Sequence, residues 1–330
     1  MPTGAAPVRQ LDLHAVDELT DTAHKILAEF GSSAARPELL RRVARAATRL
    51  DETILQACRP VDTDDGLYVL RGLPVEDDGI GPTPDSWATA GDRAAAWDVI
   101  LLLLATAMGH PIAWEGQQEG RFVHNIVPSP GHEAEQTGAS STVLLSPHTE
   151  DAFHPGRAHL LLLACMRNHD AVATTAASIR KVRLSADDAA LLSRPVLPIL
   201  PDDAYAEAQS FTGEEPPKIP ALWQTANGPT LRYDPAYTPL DEAPADYRAA
   251  YDRLTAELER VSVAVALEPG DVLVVDNDLV VHGRVPFKAR YDGTDRWLKR
   301  ASVRVLGRRS RPLAEADEHG YGQSALVALV

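Results

Sequence analysis

Apolar residues in the first third of the chain recur with the period of an α-helix. Between Leu11 and Pro60 they fall every three or four positions among charged residues, which is typical of amphipathic helices. Gly31 and Pro37 interrupt this pattern, so it predicts at least two helices. A further helix, apolar almost throughout, is predicted over 94–108, with Gly109 at its C-terminal cap.

The remainder of the chain consists mainly of short apolar runs bounded by glycine, proline and aspartate, a pattern that indicates β-strands. Leu160–Met166 is apolar throughout, as expected of a strand buried on both faces. Helical spacing returns over 247–265. The segment 201–220 is rich in Pro, Asp and Glu, and we expect a loop there that acts as a lid over a site. Further strands are predicted at 67–74, 272–275, 280–281 and 297–305.

This order of elements predicts the class of fold. A mainly helical part at 1–110 precedes a strand-rich part at 111–330, with no flexible linker between them. We therefore expect an α+β fold in one domain, 1–330, whose strands close into a barrel or a sandwich.

Composition narrows the classes of partner. Asp and Glu outnumber Lys and Arg 47 to 32, and the formal net charge of −15 argues against nucleic acids and anionic membranes as partners. The longest apolar run, 99–108, is too short to span a bilayer, and the N-terminus has no secretory pattern. Cys58 and Cys165 form no CxxC pair. We expect a cytoplasmic protein; no pattern predicts its oligomeric state.

Two distant segments together suggest a metal site. If the first is extended, His148 and Glu150 are two residues apart on one face of a strand, and both could reach one ion. His282 ends an apolar run just after the turn-forming residues 276–278, and this turn could aim it inward. Two His and one carboxylate on one face of a metal are the signature of non-haem Fe(II) oxygenases.

Two arginines strengthen this interpretation. Arg296 and Arg300 alternate with Leu298, so all three face one side of a predicted strand. Four residues of strand place the two arginines about 13 Å apart along the backbone, which suits two different carboxylates better than one. A 2-oxoglutarate oxygenase needs an Arg for its co-substrate, and an amino-acid substrate brings a second carboxylate. Alternatively, the arginines pair with Asp292 and Asp295, or the site is a Zn or Ni centre of a hydrolase or a binding module.

Three runs of the sequence resemble a known family. They are LYVLRGLPV from Leu67, HTEDAFHPGRAHLLLLACMRN from His148 and VVDNDLVVHGRVPFKARYDGTDRWLKR from Val274. They are similar to the clavaminate-synthase-like Fe(II)/2-oxoglutarate dioxygenases that hydroxylate free amino acids, including arginine and asparagine β-hydroxylases. The resemblance covers roughly Leu67 to Arg309. It implies a double-stranded β-helix, or jelly roll, flanked by helices.

The resemblance also implies roles for individual residues. His148, Glu150 and His282 would bind Fe(II), with 2-oxoglutarate and O2 as co-substrates. Arg296 would hold the distal carboxylate of 2-oxoglutarate, together with a hydroxyl from either Thr174 or Thr175. Arg300 is expected to contact the substrate at its carboxylate, and Asp234 at its side chain. Glu150 is expected at the amino group, together with either Gln117 or Gln118.

The chain departs from the arginine-hydroxylating relatives at one position. They carry a second acid two residues after the first, whereas Ala236 stands at that place here. A guanidinium group is served better by two acids than by one. The resemblance implies hydroxylation, at C3, of a free amino acid in antibiotic biosynthesis, and with a single acid we expect the side chain of that substrate to be polar or basic. The retained Glu150 favours hydroxylation over halogenation, and it leaves desaturation and cyclisation, which use the same metal ligands, as alternatives.

Overall fold

A computed structural model describes residues 6–31, 37–60, 62–202, 217–309, 311–312, 315, 321 and 323–328 of the 330-residue chain. Its helices are α1 (Leu13–Phe30), α2 (Pro37–Ala47), α3 (Glu52–Ala57), α4 (Asp77–Ile80), α5 (Ala95–Met108), α6 (Ala186–Leu192) and α7 (Ala245–Val261). Its strands are β1 (Val8–Gln10), β2 (Leu67–Arg71), β3 (His110–Trp114), β4 (His124–Ile126), β5 (Leu145–His148), β6 (Leu160–Arg167), β7 (Thr174–Ser178), β8 (Leu222–Thr225), β9 (Gly228–Leu231), β10 (Val263–Val265), β11 (Val272–Asp276), β12 (Val280–Arg284), β13 (Trp297–Arg304) and β14 (Ala325–Val327). The fold is therefore a mixed α and β one.

The N-terminal helices begin and end where their sequence signals predict. The Asp12 side chain caps α1 by accepting a 2.8 Å hydrogen bond from the backbone N–H of Ala15. Gly31 ends α1 with φ 74°, a left-handed conformation that glycine adopts without strain. Pro37 is the first residue of α2, and Gly109 ends α5 as predicted.

The described strands form two larger sheets and one hairpin. The larger sheet has the order β1-β2-β11-β6-β13-β3-β14, with β4 also paired to β13. The smaller sheet has the order β10-β7-β12-β5, and β8 pairs with β9. Neighbouring strands are antiparallel except for β1 and β2.

The central strand β6 shows how the two sides of the larger sheet are covered. All eight of its residues are buried, as predicted for this run. Leu160 and Leu162 pack into a core with α1, α2, α3 and α5. Leu161 and Leu163 pack into a second core with α7 and with strands of the smaller sheet. The smaller sheet, which carries His148 and His282, is thereby held against the larger sheet.

Two predicted segments differ from the structure or lie partly outside it. The helix predicted over 247–265 ends at Val261, and 263–265 forms β10 because its backbone pairs with Thr174–Ala176 of β7. Valines are also well suited to a strand. Most of the predicted lid at 201–220 lies outside the described residues, since 203–216 is not described. No helix in the described parts of the chain is long and apolar enough to cross a membrane.

Candidate active site

One cavity between the two sheets brings together most of the predicted site residues. His148, Glu150, Thr174, His282, Arg296 and Arg300 all line it. Leu298, expected on the same face as Arg296 and Arg300, lines it too. The wall also contains residues that the sequence did not indicate as part of the site, namely Ile126, Gln136, Thr137, Gly138, Leu145, Leu163, Asp202, Gly283 and Arg284. Residues separated by more than a hundred positions therefore meet in one place.

Strand pairing explains how the two histidines meet. β5 and β12 are antiparallel neighbours, and His148 lies directly opposite His282. Directly opposed residues of an antiparallel pair have side chains close together on the same face. The two imidazole ring centres are accordingly 4.5 Å apart.

Glu150 reaches the histidines by a different route from the one predicted. β5 ends at His148, and Glu150 lies in the turn that follows, so the expectation of an extended strand across both residues is wrong. The chain leaves the strand because the N–H of Thr149 bonds to the carbonyl of Tyr233 (2.8 Å) and that of Glu150 to the side-chain oxygen of Asn277 (2.7 Å). Asp151 follows with φ 51°. The turn still brings the carboxylate to the histidines.

The three side chains have the geometry and charge of a metal site. One possible ligand atom from each of His148, Glu150 and His282 lies within 4.8 Å of the others. Nε2 of His282 is 3.4 Å from Oε2 of Glu150. Nδ1 of His148 is 2.8 Å from the carbonyl oxygen of Ser146. A carbonyl oxygen can only accept, so this nitrogen carries the proton and Nε2 keeps its lone pair for a metal.

Electrostatics keep the carboxylate charged and the imidazole of His282 neutral. Burial alone would raise the pKa of Glu150, but the Arg300 guanidinium and His282 outweigh it and hold that pKa well below its usual range. Burial, followed by His148, lowers the pKa of His282. Metals bind neutral imidazole and ionised carboxylate, and two nitrogens with one oxygen are the donor set of non-haem Fe(II) sites. The residues present therefore fit this metal.

Arg296 and Thr174 form a second polar pair in the cavity. Nη2 of Arg296 donates a 2.9 Å hydrogen bond to the Thr174 hydroxyl. Burial lowers the pKa of Arg296 to about 10, so the guanidinium stays charged at neutral pH. Of the two threonines left open by the sequence, Thr174 contacts Arg296 and lines the cavity, whereas Thr175 does not line it.

Arg300 lies at the centre of a network around Glu150. Its Nη1 bonds to Oε1 of Glu150, and its Nη2 is 3.1 Å from Oε1 of Gln117 and 2.8 Å from Nδ1 of His124. Because arginine can only donate, Nδ1 of His124 must accept, which requires a neutral imidazole. Burial, aided by Arg300, lowers the pKa of His124 to about 3. His124 does not itself line the cavity but supports Arg300 from behind.

The structure shows which of the two glutamines proposed for the site lies next to it. Gln117 is buried and contacts Arg300. Gln118 makes two 3.0 Å hydrogen bonds with the backbone of Asn125 and so fastens the loop to β4. The histidines near the metal motif, His154, His159 and His169, join no potential metal-binding group in the described part of the chain.

Asp234 lies in a smaller cavity that adjoins the first. Gln136, Leu145, His148 and Asp202 line both cavities, whereas Asp234, Ala236, Ser146 and Tyr237 line the smaller one alone. Burial raises the pKa of Asp234. Burial, together with Asp151 and Glu150, raises the pKa of Asp202 to about 7. Asp202 was not predicted as a site residue, because the sequence showed it only as one of several acids in the proposed lid.

Comparisons with known proteins agree with this geometry. Residues 101–302 match the family described as "Taurine catabolism dioxygenase TauD, TfdA family". The chain is 36% identical over 297 residues to an enduracididine beta-hydroxylase of Streptomyces hygroscopicus, covering 83% of this chain and 84% of the relative. It is 37% identical over 271 residues to an L-asparagine oxygenase of Streptomyces coelicolor, covering 78% of this chain and 77% of the relative.

A solved structure supports the same assignment. The non-haem iron oxygenase OrfP, in complex with Fe, succinate and (3S)-hydroxy-L-Arg, superposes with a TM-score of 0.81 at 36% identity. The match covers 90% of this chain and 94% of that one. With a family match across more than half of the chain and relatives this similar, the chain belongs to the TauD/TfdA dioxygenase family.

Proposed function

We propose that this protein hydroxylates a free polar or basic L-amino acid, at C3, in a reaction that depends on Fe(II) and 2-oxoglutarate. The amino acid, 2-oxoglutarate and O2 would give the 3-hydroxy amino acid, succinate and CO2. One observation carries this proposal: a His-Glu-His group shares a single cavity with the guanidinium groups of Arg296 and Arg300. A Zn or Ni hydrolase would have no use for two such cations, and the dioxygenase family speaks against that alternative.

The residues of the cavity divide into a metal part and a co-substrate part. His148, Glu150 and His282 would hold Fe(II), which together with 2-oxoglutarate supplies the oxygen-activating chemistry. Arg296 would hold the distal carboxylate of 2-oxoglutarate through a bidentate, charge-assisted contact, and its neighbour Thr174 would add a hydroxyl. The buried position of Arg296 strengthens this contact because little water competes for the charge.

Arg300 would hold the substrate at its α-carboxylate, and Gln117 and Glu150 lie close enough to receive its amino group. Holding the substrate at both ends would set which carbon faces the metal. At the far end, Asp234 and Asp202 line the same small cavity. Two carboxyl groups there favour a cationic side chain, so within the proposed set we favour a basic amino acid.

The names of the relatives support the substrate class and the carbon. One relative is called an enduracididine beta-hydroxylase and another an L-asparagine oxygenase, and the OrfP complex contains (3S)-hydroxy-L-Arg. L-asparagine and (3S)-hydroxy-L-Arg, the amino acids named for the second and third of these proteins, both have polar side chains. We also propose a role in antibiotic biosynthesis, which the resemblance to the clavaminate-synthase-like enzymes implies.

The finer features of the fold belong to the same proposal. We infer that the two antiparallel sheets form a jelly roll and that 1–330 is a single oxygenase domain. Two pairings support this: β1 and β2, from the helical N-terminal part, are neighbours in the larger sheet, and β2 also pairs with β11. A cytoplasmic location is consistent with the two buried, unpaired cysteines, Cys58 and Cys165.

The test has two stages. First, metal-free protein receives Fe(II) and 2-oxoglutarate without oxygen, and the weak visible charge-transfer band of the complex is recorded. A folded, iron-loaded sample that shows no band would refute the oxygenase assignment. Second, succinate release is measured with oxygen across L-arginine, L-ornithine, L-lysine, L-histidine and L-asparagine. We expect stimulation by at least one of these and a product heavier by one oxygen atom at C3, located by mass spectrometry and NMR.

A further inference from the structure

Glu150 lacks the support that strand pairing gives to the two histidines. It lies beyond the end of β5, in a turn, and its carboxylate must still meet His148 and His282. A loop residue can hold a metal ligand accurately only when other groups fix its backbone. The question is therefore what fixes the peptide groups of Glu150.

The carboxamide of Asn277 takes the place of a neighbouring strand. Its Oδ1 accepts a 2.7 Å hydrogen bond from the N–H of Glu150, and its Nδ2 donates to the carbonyl oxygen of Glu150 at 3.0 Å. Nδ2 donates a further hydrogen bond, 3.1 Å long, to the carbonyl of Ala158. Asn277 is fully buried, so these hydrogen bonds do not compete with water.

Asn277 also belongs to the hairpin that carries the third ligand. It lies between β11 and β12, and His282 is on β12. Its backbone N–H donates a 2.9 Å hydrogen bond to the carbonyl of His159, which holds the turn against the segment that leads into β6. One side chain therefore ties the turn bearing Glu150 to the hairpin bearing His282.

Buried ion pairs hold this turn from both sides. Asp276 bonds to Arg308 (2.6 Å) and to Arg309. On the other side, Asp278 bonds to Arg311 at 3.1 Å, and Arg157 lies 3.8 Å from it. Asp276 and Asp278 are fully buried. Because removing one partner of a buried pair is costly, the turn has little freedom to move away from Glu150.

We propose that Asn277 is the positioning residue for the metal-binding carboxylate: it fixes the Glu150 backbone relative to His282, so that the site is assembled before the metal arrives. This inference rests on the proposed function in one respect, that Fe(II) binds at these three side chains. Groups that hydrogen-bond to metal ligands and orient them usually contribute a factor of about 10 to 100 to metal affinity. We therefore expect the affinity for Fe(II) to fall by about that factor when Asn277 is replaced.

Two substitutions test the role. Asn277→Asp keeps the shape and one acceptor but removes both donors, and Asn277→Ala removes all three side-chain hydrogen bonds. The dissociation constant of Fe(II) is measured by anaerobic calorimetry with 2-oxoglutarate present. We expect it to rise about 10-fold to 100-fold. Turnover of Asn277→Asp should recover at saturating Fe(II), because the ligands themselves remain.

Asn168 offers a matched control. It is also buried, and its amide makes the same three kinds of hydrogen bond, to the N–H and the carbonyl of Val172 and to the carbonyl of Leu267. Asn168 does not line the candidate site. Asn168→Ala should lower stability without changing Fe(II) affinity. Equal weakening in Asn168→Ala, or unchanged affinity in folded Asn277 variants, would overturn the proposal.

A measurement on the unchanged protein covers the case in which the Asn277 variants do not fold. In metal-free protein, the amide hydrogen of Glu150 should exchange with solvent as slowly as those of β12, because Asn277 already holds it. Exchange as fast as in an open loop would contradict the inference. If the wild-type protein itself binds no Fe(II), the proposed function fails, whereas slow exchange at Glu150 would still support the structural role of Asn277.

Discussion

Asp202 should make the affinity for a basic substrate depend on pH. It lines both cavities and shares the smaller one with Asp234, and burial, with Asp151 and Glu150 nearby, raises its pKa to about 7. A carboxyl group attracts a cationic side chain only when it is ionised, and Asp202 is ionised above its pKa. The KM for a basic amino acid should therefore rise as the pH falls through 7 and level off at higher pH.

The size of this effect follows from the pKa. A carboxyl group that titrates near 7 is roughly one-tenth ionised at pH 6 and roughly nine-tenths ionised at pH 8, so KM should change about 10-fold between them. A hydrogen bond to a charged group contributes about 1.5–3 kcal/mol, or roughly 10-fold to 150-fold in affinity. One carboxylate can therefore supply the whole change.

The assay compares a basic with a neutral substrate, L-arginine and L-asparagine, from pH 6 to pH 8 at saturating Fe(II) and 2-oxoglutarate. The ratio of their KM values cancels effects of pH on the metal and co-substrate. Asp202→Asn should remove the pH dependence and keep the KM for arginine high throughout. Asp187→Asn, at an exposed aspartate of α6, is the control and should behave as wild type. A ratio that stays constant with pH in the wild-type protein would refute the reasoning.

Three further substitutions test other parts of the structure. Arg296→Lys keeps the charge but loses the bidentate fork, so the KM for 2-oxoglutarate should rise about 10-fold or more while Fe(II) affinity, measured by calorimetry, stays the same. His124→Leu removes the acceptor behind Arg300, so the KM for the amino acid should rise about 2-fold to 10-fold; an equal rise for 2-oxoglutarate would contradict this. Lys299→Met leaves Asp98, whose side chain is only 14% exposed, without its cation, so the free energy of unfolding in urea should fall by about 3–5 kcal/mol; Asp98→Leu in the same chain should largely reverse this loss.

Local patterns were enough to predict most of the regular structure. The apolar run Leu160–Met166 and the alternation around Leu298 depend on side chains facing fixed sides of a strand, and the structure confirms both. The helix predicted over 247–265 was too long because its last three residues pair with β7. Such pairing is a long-range contact, and the helical spacing of the preceding residues carries no information about it.

The sequence predicted which residues form the site from their types and spacing, but not how the fold brings them together. His148 and His282 meet because two strands pair in register, which the sequence could suggest but not demonstrate. The turn at Glu150 depends on Asn277, whose side chain replaces a strand partner. The sequence showed Asn277 merely as part of a turn, because an isolated asparagine has the same appearance in a solvent-exposed loop.

The substrate question shows why a linear motif can mislead in a cavity. Ala236 stands where the arginine-hydroxylating relatives carry a second acid, and from the sequence alone this argued against a guanidinium group. In the structure, Asp202 lines the same small cavity as Asp234 and Ala236, so a second carboxyl group reaches it from another segment of the chain. What a cationic side chain requires is two acceptors in one place, and their spacing along the chain is irrelevant to it. The alanine therefore no longer counts against a substrate such as arginine.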